Sequence, residues 1–354
     1  MRGAARVRPS VKEVARAAGV SVGTVSNVLN RPEQVTEDMR KRVESAVEEL
    51  GYVRNSAAQV LRTGVSPLVG VAVLDITNPF FTGAAAGMER RLSQEGCIMV
   101  LASTHSDEQV EANLLRGLSG QGVRGVLLTA TDPELVTARE IVEKGTPVVL
   151  FDSPNAPDDM ASVFVDDIVG ATQAVEHLLE LGHRHIAFLN GPSKTRQARD
   201  RLSGAEKAIA PYSDVRLDVH ETADFTAEAG RTAVGALLAG SEPGTLPAEF
   251  ATAIFCANDM LAFGAMTALR DAGILVPSQV SLVGFDDSAI AEQFSVPLTT
   301  IRQPMAELGW AAADLLLADA REGNAAAEVP ARAPQHLRFE PELIIRKSTA
   351  PPRD

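Results

Sequence analysis

Between residues 11 and 30, apolar positions recur at helical spacing on either side of one glycine. Val11, Val14, Ala15 and Ala18 form one stripe, Gly19 follows, and Val25, Val28 and Leu29 form a second. Glycine accepts the positive φ that ends a helix and turns the chain sharply. Ser21 stands where the second helix needs an N-cap. Helix, glycine turn, helix within about twenty residues is the helix-turn-helix plan, whose second helix enters the DNA major groove. A plain αα-hairpin has the same pattern. Thr36 then opens a third helix, with Glu37 and Asp38 suited to the positive end of its dipole. Val43, Val47 and Leu50 give its inner stripe and Gly51 its stop.

From Pro67 the pattern changes to short continuous apolar runs alternating with amphipathic stretches. Runs fall at 68–74, 98–102, 126–129, 148–151 and 162–165, then at 185–189, 217–220, 253–257 and 281–285. Helical stretches at 84–95, 108–117, 172–181 and 259–271 lie between them. Continuous apolar strands separated by helices predict parallel sheets covered on both faces. About nine strands divide best into two doubly wound subdomains. Residues 321–335 read as a loop and 337–345 as the last strand.

In such sheets ligands bind at the carboxyl ends of strands, and with two lobes they bind in the cleft between them. The expected strand ends carry Asp75 to Phe81, Asn190-Gly191-Pro192, Asn258-Asp259 and Asp286-Asp287, with Arg201 beyond and a crossing at Thr300–Pro304. Aromatic faces beside Asn, Asp, Arg and Gln are sugar-recognition chemistry: rings stack on C–H faces while polar groups take hydroxyls. Phe80 and Phe81 equally suit a core. Asp286-Asp287 and Asp166-Asp167 equally suit helix caps.

Charge changes the picture. The chain of 354 residues has a net charge of −13, which argues against a DNA partner until it is divided. Residues 1–64 hold 11 Lys/Arg against 7 Asp/Glu, a net +4, leaving −17 on the other 290. A basic head on an acidic body is expected when only the head meets phosphates. No apolar run reaches the ~18 residues of a membrane span. The N-terminus MRGAARVRPS lacks the apolar segment of a secretory signal. Cys97 and Cys256, each in an apolar run, read as buried thiols of a cytoplasmic protein.

Two common catalytic motifs are missing. There is no GxxxxGK[ST] and no HExxH. His177, His183 and His185 cluster without a Cys or acid at ligand spacing. The expectation is no catalytic residue, no metal and no cofactor.

The stretches KEVARAAGVS, TVSNVLN and ELGYVRNSAAQVLRTG resemble the lactose/galactose repressor (LacI/GalR) family of bacterial transcription factors. The resemblance implies a recognition helix over 21–29 and a hinge helix over 55–63. It also implies that Leu61, flanked by Ala58 and preceded by Asn55, wedges into the minor groove, a known way of kinking DNA. A two-turn helix there is unstable alone and orders only when docked. Base reading in the family falls to Val22, Gly23 and Asn27. Asn27 replaces the usual arginine, so adenine N6/N7 replaces guanine as its match, and Val22 suits a thymine methyl. Ser21, Thr24, Ser26 and Asn30 suit phosphates. Arg54 stands where the family has proline.

VLDITNPFF, GPSKTRQARDRLSGAE, IFCANDMLAFGAM, SLVGFDD and PLTTIRQPMAELG resemble the family's effector domain, and with it the periplasmic sugar-binding proteins. Carried over, Phe80 and Phe81 match stacking aromatics and Phe225 an aromatic on the opposite lobe. Arg201, Asn258 and Asp286 match the hydroxyl-binding set, Gln303 a polar crossover residue, and Asn78 an asparagine of ribose-type sites. Thr195 stands where the purine-binding branch has arginine, which favours a monosaccharide.

The expectation is an all-α helix-turn-helix head at 9–54, a hinge and linker at 55–66 and an α/β body at 67–348. The body divides into two parallel-sheet lobes of periplasmic-binding-protein type: 67–165 with 298–330, and 166–297 with 331–348. The function expected is a regulator, a repressor by class, that binds a pseudo-palindromic DNA operator as a homodimer. A small-molecule effector in the cleft, a sugar, controls it. The alternatives are a sugar receptor without a DNA role and an α/β enzyme of unknown chemistry.

Overall fold

The computed structural model describes residues 9–31, 34–52, 66–322 and 334–353, excepting the side chains of 30, 321 and 322. They fall into two units, Met1–Ser66 and Pro67–Asp354. In the first, α1 (Val11–Ala18) starts on a capping box: the Ser10 hydroxyl accepts from the Glu13 amide while Glu13 Oε2 accepts from the Ser10 amide at 2.7 Å. Gly19 ends it at φ +61, and Arg42 Nη2 donates to the Ala18 and Gly19 carbonyls at 2.6 and 3.0 Å. Ser21 caps α2 (Val22–Asn30), accepting from the Thr24 amide at 3.0 Å. The third helix, α3 (Glu37–Leu50), ends at Gly51 with φ +60. Val14, Ala15, Ala18, Val25, Val28, Val43 and Ala46 close the small core.

The second unit has two sheets of six strands each. Lobe 1 runs β1 (Leu68–Val73), α4 (Pro79–Gln94), β2 (Ile98–Ser103), α5 (Glu108–Gly120), β3 (Val126–Leu128), α6 (Val136–Glu143), β4 (Val148–Phe151), β5 (Ser162–Val165). Lobe 2 runs α7 (Asp167–Glu180), β6 (His185–Asn190), α8 (Arg196–Ile209), β7 (Arg216–Glu221), α9 (Ala227–Leu237), β8 (Ala253–Cys256), α10 (Asp259–Asp271), β9 (Ser281–Asp286) and β10 (Thr299–Arg302). Next come α11 (Met305–Glu322), β11 (His336–Phe339) and β12 (Glu342–Ile344). The orders are β11-β5-β4-β3-β1-β2 and β12-β10-β9-β8-β6-β7. All pairs are parallel except β10 with β12. Buried strands such as β4, β8 and β9 are covered on both faces, which explains their continuous apolar runs.

The expected division of the C-terminal third is corrected. Thr299–Arg302 lies in the sheet of lobe 2, not lobe 1, and His336–Phe339 pairs with β5 in lobe 1, not lobe 2. The single strand expected at 337–345 is two strands in different sheets. Pro341, which cannot donate to a ladder, separates them. The chain thus passes between the lobes at 165–167, 302–305 and 339–342. Two helices also start earlier than their apolar stripes suggested. Asn78 with Pro79 opens α4, and Asp166 caps α7 by accepting from the Val169 amide at 2.9 Å. Both cysteines are buried free thiols, as expected.

In lobe 1, α11 lies across α4 at backbone contact distance. A Cβ on Gly87 would strike the Ala306 carbonyl, and one on Gly309 the Ala84 carbonyl. Neither obstacle is a side chain that can swing away. Gly309→Ala is therefore expected to force the helices apart and cost ~1–3 kcal/mol. Thermal unfolding should read this as a midpoint several degrees lower, at about 2–4 °C per kcal/mol.

Candidate functional site

The strand order reverses around β1 in one lobe and β6 in the other, and the segments leaving these strands face each other across a cavity of about 350 Å³. On the lobe 1 side, Asp75 closes a tight turn by accepting from the Thr77 amide at 2.8 Å. Asn78 caps α4, its Oδ1 accepting from the Phe80 amide at 3.0 Å. That places Phe80 and Phe81 in the first turn of α4. Both line the cavity yet are only 5% and 4% exposed. They meet edge to face at 5.1 Å, and Phe80 stacks on Phe151 at 5.9 Å. The rings belong to the core of lobe 1, as the core reading expects, and their outer surface is cavity wall.

On the lobe 2 side Phe225 is half-buried and lines the cavity. Gly191 makes room for it, because a Cβ there would overlap the ring. Asn258 Nδ2 donates to the Phe225 carbonyl at 3.2 Å, while its Oδ1 caps α10 by accepting from the Leu261 amide at 2.9 Å. Asn258 is 1% exposed and does not line the cavity. Gln303 does not either; its Nε2 donates to Asp286 Oδ1 at 2.7 Å from behind. The structure therefore moves both residues from the wall to the layer that holds it.

Asp286 and Arg201 do reach the cavity. Asp286 ends β9 with φ +113, and Asp287 follows at φ +53. The Arg201 guanidinium lies 3.9 Å over the Phe285 ring. Its Nε donates to Asp167 Oδ1 at 2.9 Å, its Nη1 donates to the Ala257 carbonyl, and its Nη2 lies 3.8 Å from Asp286 Oδ1. Burial pushes the Asp286 carboxyl well above the usual carboxylate range, against the pull of Arg201. Directly behind, Asp259 accepts from the Ser288 amide and hydroxyl at 2.7 and 2.8 Å and from the Thr300 hydroxyl at 2.7 Å. Burial still outweighs these bonds and pushes it up to about 6.

Three residues were invisible as partners in the sequence: Asp152, Arg196 and Gln197. Asp152, after β4, lines the cavity and takes Arg196 and Gln197 from the first turn of α8. Its position just past a strand end was the available signal. Its partners lie 44 and 45 positions away on the other lobe, a pairing that no local pattern encodes.

In the head, the α2 residues Ser21, Val22, Gly23 and Asn27 are exposed, Val22 at 43%. Val25 and Val28 on the opposite side are buried in the head core. Thr24 and Ser26 are half-buried, and the Ser21 and Thr24 hydroxyls lie 2.9 Å apart within the cap. For Asn30 the structure describes the backbone alone, and Asn55, Ala58 and Leu61 lie outside the described residues. Among the described residues no group of three or more His, Cys, Asp or Glu is placed to hold a metal. The expected histidine cluster is occupied otherwise: His183 bonds Thr252, Ser281 and the Ala350 carbonyl, and His177 bonds Thr349. No helix among the described residues is long and apolar enough to cross a membrane.

Residues 10–55 match the family model described as bacterial regulatory proteins, lacI family, and residues 175–349 match that of a periplasmic binding protein-like domain. The ribose operon repressor of Escherichia coli K12 is 36% identical over 313 residues, 87% of this chain and 92% of that protein. Among solved structures, a lac repressor dimer bound to operator and the anti-inducer ONPF aligns with a TM-score of 0.78 at 29% identity. It covers 97% of this chain and all of that one. A complex of the transcriptional regulator CelR with cellobiose aligns at 0.67 and 32%, covering 96% of this chain and all of that one.

Asp259 provides a pH test. A carboxyl with a raised native pKa binds its proton more tightly in the native state than in the unfolded chain. Its contribution is present below the unfolded value of 3.8 and is lost as pH rises through about 6. Asp259 by itself therefore takes stability away over that window. Asp259→Asn keeps an acceptor for Ser288 and removes the titration. Thermal melts between those limits should show a shallower decline in the variant, by about 2–3 kcal/mol in total.

Proposed function

The chain belongs to the LacI family of bacterial regulatory proteins and is a DNA-binding transcriptional regulator; from that premise we propose how its two units divide the work. The head reads the operator through the exposed edge of α2. Val22 meets a thymine methyl, Asn27 pairs with adenine N6/N7, and the backbone can approach the groove at Gly23. Ser21, Thr24, Ser26 and Asn30 flank the phosphates, which fix position more than sequence. Asn55, Ala58 and Leu61 belong to the hinge that enters the minor groove. One short head reads few base pairs, so two heads related by a twofold axis act on a pseudo-palindrome, as a homodimer. The operator-bound relative is itself a dimer. Its DNA partner places the protein in the cytoplasm, where it acts as a repressor.

The body binds the effector between its lobes. The observation that carries this reading is the cavity itself: aromatic walls from both lobes, Phe80 and Phe81 against Phe225, closed by Arg201 and Asp286. Rings and paired polar groups suit a sugar. The lining cations are Lys194 and Arg201, and Arg201 is already engaged by Asp167, while half-buried Asp75 and exposed Asp224 are carboxylates of the same wall. That balance favours a neutral sugar over a phosphate ester. Asn78, Arg201 and Asp286 take hydroxyls, while Asn258 and Gln303 hold Phe225 and Asp286 in place. The relatives include a regulator of a ribose operon and one that binds cellobiose; the single aromatic-walled chamber here favours a monosaccharide. Effector binding changes the angle between the lobes, hence the spacing of the hinges and their hold on DNA. Neither unit is given a catalytic role.

A thermal-shift panel of monosaccharides, nucleosides and sugar phosphates on the full chain tests the site. A ligand bound only by the native state raises the melting midpoint by mass action. The expected result is a shift with a neutral monosaccharide that Asp286→Ala abolishes. A shift with a nucleoside or phosphate ester alone, or one that survives Asp286→Ala, contradicts the reading.

A further inference from the structure

Beside the chamber of about 350 Å³ the cleft of the body holds a second one of about 420 Å³. The two share Leu74, Ser106, Asp152, Lys194, Thr195 and Gln197, so they adjoin and these side chains form the wall they have in common. From lobe 1 the wall is Asp152, held at φ +57. A non-glycine residue keeps that left-handed conformation only where its surroundings over-determine it. From lobe 2 the wall is the first turn of α8. Arg196 Nη2 donates to Asp152 Oδ1 at 2.5 Å and to its carbonyl at 3.0 Å, and Gln197 Nε2 donates to Oδ2 at 2.6 Å. Both carboxylate oxygens of Asp152 are thus engaged by protein groups, and the residue is 6% exposed. The Arg196 fork is fixed in turn by Asp167 at 3.0 Å and Asp200 at 2.6 Å, so it has no free swing.

The outer chamber is not hostile to a sugar. Thr131, Asp132, Asn155 and Arg199 line it and could bond a second ring. What separates it from the aromatic-walled chamber is the bridge. We infer that the Asp152–Arg196–Gln197 bridge sets the length of the effector, closing the inner chamber behind one sugar ring and keeping a second ring out of the outer chamber. This rests on the sugar-effector reading of the same cleft and adds to it the residues that limit size.

Removing Arg196 would take the cation from Asp152 and Asp200 and one of two from Asp167, all buried or half-buried, and threaten folding. Gln197→Ala is the milder variant: it takes one bond and some bulk from the wall and leaves the ionic network. Calorimetric titration of the full chain with ribose, glucose, cellobiose and maltose reads the gate. The wild type is expected to bind a monosaccharide at least about tenfold more tightly than either disaccharide, and Gln197→Ala to narrow that ratio about tenfold. A wild type that binds a disaccharide as tightly as any monosaccharide overturns the gate and leaves the sugar site standing. A ratio unchanged by Gln197→Ala does the same. If neither protein binds any of the four sugars, the sugar reading fails, and hydrogen exchange without ligand decides whether the wall stands. The Asp152 amide, which donates to the Val163 carbonyl at 2.7 Å, exchanging roughly threefold faster in Gln197→Ala supports it, and an equal rate overturns it.

Discussion

The body depends on one buried guanidinium. Arg201 is 5% exposed, and its Asp167 and Asp286 partners are 2% and 3% exposed. An isolated charge in such a place would cost far more than a domain can offset. The arrangement persists because each charge has an opposite one and hydrogen bonds fill the remaining valences. Arg201 ties the start of α7 and the end of β9 to the carbonyl after β8, and its face covers Phe285. Two strand ends of lobe 2 and the start of α7 are therefore registered to one side chain. The outer side of Asp286 faces the cavity only because its inner side is held by Gln303 and Arg201.

The same economy explains why the cleft is polar without being loose. Asp286, Asp259 and Asp152 are all buried, and burial raises all three above the ordinary carboxylate range. Each is nevertheless met by donors from a neighbouring element: Gln303 for Asp286, Ser288 and Thr300 for Asp259, Arg196 and Gln197 for Asp152. Donors fixed in advance present oriented groups to a ligand and cost no reordering when it binds. The head is built differently. Its core is small, its caps are local, and its exposed α2 edge carries short side chains. Its charge of +4 against −17 on the rest of the chain confines attraction for phosphates to one end.

Much of this was legible in the chain. Gly19 and Gly51 sit in the left-handed conformation that their place after an apolar stripe implied. The runs at 148–151 and 162–165 are strands with those bounds, and residues following β1, β6 and β9 face one cavity, as the parallel-sheet rule requires. What was not legible depends on direction and distance. Asn258 and Gln303 lie at the right places along the chain but do not line the cavity, because a cap and a carboxylate claim their side chains. The crossing expected at Thr300–Pro304 falls at its far end, after Arg302, because Thr299–Arg302 first pairs with β9 for its full length. Arg196 carries no local sign that it spans to the other lobe. Only the folded lobes bring Asp152 within its reach.

We propose that a ligand in the cleft governs the hold of the head on DNA. It is tested most directly by titrating the full chain onto a duplex selected by the chain itself from random sequence. The titration is run at fixed salt, with and without a saturating sugar that stabilises the protein. The account predicts that the sugar changes the affinity by about tenfold or more, a coupling of at least ~1.4 kcal/mol. Equal affinities with the cleft filled and empty would contradict it.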